Sequence, residues 1–231
     1  MNRIFRFSGL LAALLCLGPL TALHAQTAPS TGPIQPIKVK TKPGKKDELV
    51  TIHVTQGDVA LGDIKILLYD QTPQHKANFL QKAKSGFYNG TTFHRVIPNF
   101  MVQGGDANSK NDDPNDDGLG QPSDPTIPAE IVPELKHQRG AVAAARQGDY
   151  VNPQRASSSS QFYIVQNVTG TPHLDNHYTV FGLVVQGQAV VDKIVAVPIT
   201  GPDRPVTPVR MKFEVKKLSK KKIMQEYGFQ Y

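Results

Sequence analysis

Arg95 lies in FHRVIPNFMVQGGD, residues 93–106, where a guanidinium follows Phe93 and His94 and precedes Phe100, Met101 and a lone Gln103. An arginine stays charged at every working pH and carries five N–H donors in a fixed fork, so beside apolar surface it can stabilise a polar atom shielded from water. Spacing alone leaves two readings equally open: a donor in a site, or half of a surface ion pair on a strand. Three further stretches hold residues capable of chemistry. Asp113, Asn115, Asp117 and Gly118 follow the opening of a calcium loop, with Asp124 in its last position. A glutamate is expected at that last position, Gly120 and Pro122 break the second half, and no helices flank it, so the expectation is a solvated acidic loop. His173 and His177, with Asp175 between them, have a spacing that would suggest metal on a helix. They fall in a loop without a third ligand and read as loop histidines. Ser157–Ser160 lacks the strand–turn–helix elbow of a nucleophilic serine and reads as a flexible loop entering a strand.

These side chains need a frame, and the chain between residues 49 and 218 supplies mostly strands. ELVTIHV and GDIKILLY are β-branched and partly alternating, which fits strands with one buried face. TTFHRVI, RGAVAAA, SQFYIVQ, YTVFGLVV and VRMKFEVKKL read as further strands. TPQHKANFLQKAKSG predicts a helix with Thr72 as N-cap, Pro73 at the first position, Ala77, Leu80 and Lys84 along one side, and Gly86 as terminator. QAVVDKIVAV predicts a second helix. Many strands with few helices imply a closed barrel with helices over its ends.

The ends differ in kind. Residues 1–25 place Arg3 and Arg6 before an apolar run from Leu10 to Leu23 that closes at Ala25, the layout of a cleaved secretory signal peptide. Residues 26–48 are rich in proline, threonine and lysine, and predict a disordered linker. Residues 219–231 predict a basic, solvated tail. Cys16 is the only cysteine, so the mature chain has no thiol nucleophile, disulfide or zinc-thiolate site, which suits an oxidising compartment. Losing Arg3 and Arg6 lowers the formal charge from +7 to +5, because residues 1–25 hold no other charged side chain. That surplus is too mild and dispersed to indicate a nucleic-acid partner. No stable membrane insertion is expected after cleavage.

FHRVIPNFMVQGGD, GAVAAARQGD, SSSQFYIVQ and LDNHYTVFG occur in the order found in the cyclophilin family of peptidyl-prolyl cis-trans isomerases, and this chain resembles that family over residues 49–218. The resemblance is strongest to exported bacterial members. It implies a mainly β fold, a closed eight-stranded antiparallel barrel capped by two short helices, and a monomer without cofactor acting on proline-containing polypeptides. By the same resemblance Arg95 and Gln103 are the catalytic pair. Phe100, Met101, Tyr163 and Leu174 wall a proline pocket, and Ala145, Arg146 and Gln161 line the extended peptide groove. His173 and Tyr178 stand where better-known members have tryptophan and histidine, and Arg146 where many have asparagine. The family relates that missing indole to tight cyclosporin binding, so weak cyclosporin inhibition with retained activity is expected. Localisation in the periplasm or outside the cell follows from the leader.

Overall fold

The computed structural model describes residues 44–231 apart from residues 112 and 122. The expected signal peptide and residues 26–43 of the expected linker lie outside the described residues. The linker's final residues, 46–48, belong to the first strand.

β1 (Lys46–Gln56) and β2 (Val59–Leu68) form a long hairpin through Gly57, whose φ of 55° favours glycine. α1 (Pro73–Lys84) follows, then β3 (Arg95–Ile97), β4 (Met101–Gly104) and the short β5 (Thr126–Ile127). β6 (Ala141–Ala144), the short β7 (Ser157–Ser158), β8 (Phe162–Val165) and β9 (Val180–Gln186) come next. α2 (Gln188–Val195), β10 (Ile199–Thr200), β11 (Arg204–Pro205), β12 (Val209–Ser219) and α3 (Lys220–Tyr227) complete the order.

Eight strands form one antiparallel curled sheet in the order β12-β1-β2-β9-β6-β8-β4-β3. Closure into a barrel is not what the hydrogen bonds show. β3 and β12 are edges without a continuous ladder between them. The strand expected over 91–97 splits: Phe93 N–H donates to Val209 O at 2.9 Å, while the Thr92 N–H is spent on the Ser109 hydroxyl. Among the described residues the segment before β3 meets β12 through the isolated Thr92–Arg210 bridge and the Gly90 N–H to Met211 O bond at 2.9 Å, and Pro98 stops β3 after three residues. The expected sequence strands also omitted β4, a four-residue piece ending in glycine.

Alternation along the strands sends Ile52, Ile64, Ile66, Val102, Val142 and Ile164 to the concave side. Phe79 of α1 packs there against Tyr88, Phe162 and Phe181, with ring centroids 5.1–5.3 Å apart. The buried residues of α1 are His75, Asn78, Phe79, Leu80 and Ala83, so of the expected Ala77–Leu80–Lys84 side Leu80 alone is buried. Thr72 is the N-cap residue, but its side chain caps nothing; the Glu130 carboxylate accepts the N–H groups of Gln74 and His75, each at 3.0 Å.

A third helix corrects the expectation of two helices and a solvated tail. Ser219 Oγ accepts from Lys222 N to start α3, and Gly228 in the left-handed region ends it. Ile223 is completely buried with Phe229 against Leu49 and Leu67, whose side chains leave the convex face. Among the described residues no helix is long and apolar enough to cross a membrane.

Candidate active site

Strand register builds the site. Arg95 on β3 is the direct partner of Gln103 on β4, Gln103 of Tyr163 on β8, and Tyr163 of Ala143 on β6. Directly opposed residues on one face hold their Cβ atoms about 4.5–5.5 Å apart, so four strands present a single row ending in a guanidinium. Two residues along, on the same face, Met101 faces Ile97 and Val165. Met101, Tyr163, Val165 and Val180 form a buried cluster distinct from the core, and Phe100, Leu174 and Tyr178 pack half-buried against it. The structure thus brings together the four apolar residues assigned to the pocket from sequence, Phe100, Met101, Tyr163 and Leu174.

Gly104 and Gly105 let the row approach its neighbours. A Cβ on Gly104 would meet Thr92 O at 2.7 Å, and one on Gly105, at φ 90°, would meet Ser160 O at 2.5 Å. Gly104 continues β4 instead of starting a turn.

Arg95 makes an ion pair at the end of this row. Its Nε lies 3.5 Å from Asp203 Oδ2, with side chains 45% and 38% exposed. An exposed pair of that length stabilises by about 0–1 kcal/mol at most. Nη1 and Nη2 have no hydrogen bond among the described residues, so the outer fork remains available. Gln103 stands opposite Arg95 but does not bond it. Its Nε2 donates to Gln161 Oε1 at 3.0 Å, and Gln161 Nε2 donates to Gly118 O at 3.0 Å and Asp106 Oδ2 at 3.4 Å. Gln161 N–H is held by Ser158 Oγ, and Gln161 O accepts Ala145 N–H at 3.0 Å. The amides therefore form a hydrogen-bonded rail along one side of the apolar cluster.

Arg146 turns its side chain inward, 4% exposed. Its Nε donates to His177 O at 3.0 Å, Nη1 reaches Asp149 at 2.6 Å, and the guanidinium lies 4.4 Å from the Tyr178 ring centroid. His173 is exposed and stacks on Phe100, with centroids 5.8 Å apart. An imidazole there covers less of Phe100 than an indole would.

His137 is a site residue that sequence reading missed. Its Nε2 is 2.9 Å from the Tyr163 hydroxyl, and its Nδ1 and backbone N–H both lie 2.9 Å from Asp175 Oδ1. Burial pushes its pKa below the ordinary histidine value, outweighing Asp175. Burial raises the Asp175 carboxyl, but the His137 donors outweigh it and hold the group below its usual value. Burial also pushes the Tyr163 phenol upward. No local pattern announces His137; only the convergence of segments 26 and 38 residues away reveals it.

The acidic loop is not merely solvated. Asp117 pairs with Arg204, Asp113 Oδ1 accepts Asn115 N–H and Nδ2–H, and Asp124 Oδ2 accepts Gln121 N–H. These groups serve the loop and its anchors and do not converge; among the described residues no group of three such ligands is arranged for a metal. Gly120 N–H donates to Asp106 Oδ2 at 2.9 Å, and with the Gly118 carbonyl it locks the loop onto Gln161. Gly118 packs against His94, a buried ring whose pKa burial lowers to about 4. Ser157 and Ser158 pair with β5, and buried Ser159 accepts an Asn78 Nδ2–H through its carbonyl, so this stretch is a packed ribbon and not a flexible loop.

Residues 49–215 match the family described as cyclophilin type peptidyl-prolyl cis-trans isomerase/CLD. A peptidyl-prolyl cis-trans isomerase-like 2 protein of Rhizopus delemar is 34% identical over 195 residues, 83% of this chain and 33% of that protein. A peptidyl-prolyl cis-trans isomerase of Arabidopsis thaliana is 39% identical over 167 residues, 70% of this chain and 91% of that protein. The chain therefore spans about a third of the length of the longer relatives, 33% and 36%, and most of the compact one. Among solved structures, a cyclophilin type isomerase of Cryptosporidium parvum, crystallised in the presence of the dipeptide Ala-Pro, gives a TM-score of 0.59 at 27% identity. That match covers 74% of this chain and 99% of the other. Sequence, fold and the shared span agree: this chain belongs to the cyclophilin-type peptidyl-prolyl cis-trans isomerase family.

Proposed function

We propose that this protein accelerates cis–trans isomerisation of X-Pro bonds in exported polypeptides, with Arg95 stabilising the twisted amide. Rotation about the peptide bond breaks amide resonance against a barrier of roughly 18–20 kcal/mol. At the top the nitrogen is pyramidal and carries a free lone pair, which accepts a hydrogen bond that the planar ground state does not. A fixed donor that acts only on this state lowers the barrier selectively. Bringing an exchange of tens of seconds to about a millisecond takes roughly four decades, or about 5–6 kcal/mol.

The observation that carries this reading is the row Arg95–Gln103–Tyr163 lying along an open apolar cluster. Phe100, Met101, Tyr163 and Leu174 suit a pyrrolidine ring and exclude water from the nitrogen. The Arg95 outer fork donates to the nitrogen and to the substrate carbonyl, while Ala145, Gln161 and the Arg146 backbone hold the chain on either side. No covalent bond changes and no cofactor enters. Tyr178 and His173 complete the rim, and cyclosporin inhibits weakly because His173 offers no indole face; a nanomolar inhibition constant would contradict this.

Export is part of the proposal. The leader-like residues 1–25 and a cysteine-free remainder support action in the periplasm or outside the cell. Mass spectrometry of protein recovered from that compartment should give an N-terminus at Gln26. A protease-coupled assay on an X-Pro tetrapeptide, comparing wild type with Arg95→Ala, tests the chemistry. Equal rates would make this a proline-peptide binding module with incidental turnover.

A further inference from the structure

Two walls of the proline pocket come from segments with no ladder between them. Tyr163 stands on β8, whereas Leu174, His173 and Tyr178 belong to the 172–178 loop, which has only a single 3₁₀ turn of its own. Backbone bonds pin the ends of that loop, Thr171 N–H to His137 O at 2.8 Å and Ala144 N–H to Thr179 O at 3.0 Å; across its middle the Tyr178 ring meets Tyr163 edge-on at 6.0 Å, and one imidazole touches both segments. The Asp175 carboxylate accepts only, so the Nδ1 beside it carries the proton. Nε2 is then bare and accepts from the Tyr163 hydroxyl. His137 is completely buried on its side chain and stacks on the Tyr163 ring with centroids 6.1 Å apart, and the Tyr178 ring meets it edge-on at 6.5 Å. Asp175 also accepts the His137 backbone N–H, so the loop is clamped twice to the same residue.

We propose that His137 is a positioning residue of the isomerase site: bridging Tyr163 to Asp175, it sets the width of the proline pocket without touching the substrate. The inference rests on the reading of this face as a proline pocket. A pocket of fixed width binds the ring in ground state and transition state alike, so its loss appears in KM while kcat, set at Arg95, is preserved. A merely structural histidine would lower stability without separating the two constants.

The test uses selective variants. In His137→Asn the amide nitrogen occupies about the place of Nδ1 and keeps the Asp175 bond, but nothing reaches Tyr163. Tyr163→Phe removes the same bond from the other side. Each should raise KM for an X-Pro tetrapeptide about three- to ten-fold, the worth of one buried hydrogen bond, with kcat within about two-fold. The double variant should be no worse than either single, because both delete one interaction. Penalties that multiply in the double variant, or unchanged KM in both singles, would overturn the proposal. Nitrogen-detected imidazole spectra of the wild-type protein give a check that needs no variant: Nδ1 protonated and Nε2 bare through neutral pH. A protonated Nε2 there would also sink it. If wild type fails to turn over the peptide at all, the isomerase reading fails, not the bridge, whose tautomer the spectra still report.

Discussion

The convex side of the sheet carries two apolar patches, and the chain treats them differently. Around Leu49 and Leu67 it covers the patch with its own α3, burying Ile223 and Phe229. Around Met101 and Tyr163 it leaves the patch half open and rims it with Arg95, the Gln103–Gln161 rail and His173. An outward apolar surface filled by the same chain serves stability. One left half-buried beside a row of donors is where the proposed function seats a proline ring. Tyr69 packs against both patches and marks the seam.

The largest effect should come from the open side. Arg95→Ala removes the only guanidinium in the row and should lower kcat/KM about 10²- to 10³-fold, the usual loss for one transition-state donor. Its ion pair with Asp203 is exposed, so unfolding by urea should shift by less than about 1 kcal/mol. A large stability loss with modest loss of rate would place Arg95 in the structural class and erase the contrast between the patches.

Ile223→Ala makes the mirror-image case. The side chain is fully buried on the covered patch, and the truncation should cost about 2–4 kcal/mol in denaturant unfolding. The kcat/KM of the protein that remains folded should stay within about two-fold. A drop in rate comparable with that of Arg95→Ala would mean that α3 shapes the pocket and is no independent cover.

What sequence made legible follows the range of the interactions. Pro73 at the start of α1 and the alternation of Ile64 and Ile66 are local, and those elements appear where the pattern put them. The split of residues 91–97 depends on Ser109 taking one N–H, a contact 17 residues away that no local pattern encodes. α3 was hidden because its lysines outnumber the two residues that anchor it. The outward Leu49 and Leu67 were the available clue, since both break a strictly one-faced reading of their strands. The pocket residues were reachable only through the family's ordered motifs, because their adjacency is a matter of strand register. His137 escaped even that, having no partner near it in sequence.

A smaller effect should appear where the open patch is held from behind. Burial raises the Glu130 carboxyl, but the His75 ring at 2.7 Å and the N–H groups of His75 and Gln74 outweigh it and hold the pKa below the usual value. A depressed folded-state pKa means the stabilisation is complete above the unfolded value of about 4.3 and fades as pH falls through the folded one. Glu130→Gln should therefore cost about 1–2 kcal/mol at neutral pH, as for a lost helix cap, and the gap from wild type should close in strong acid. A gap that stays constant across urea titrations from neutral to strongly acid pH would show that the carboxylate charge is not what holds α1.

The smallest expected effect lies at the seam. Tyr69 and Phe229 stack with centroids 5.6 Å apart and 26° between planes. Phe229→Leu keeps most of the buried area and removes this ring pair, worth about 0.5–1.5 kcal/mol, together with the edge-on contact to the exposed Tyr231 ring at 5.2 Å. If the two patches are independent, the melting temperature falls slightly and KM for the X-Pro peptide does not move, because Tyr69 is held by the Met101–Tyr163 cluster on its other side. A KM change of two-fold or more with kcat intact would mean that the covered patch props one wall of the open one. The C-terminal helix would then belong to the catalytic unit, and separate roles for the two patches would no longer stand.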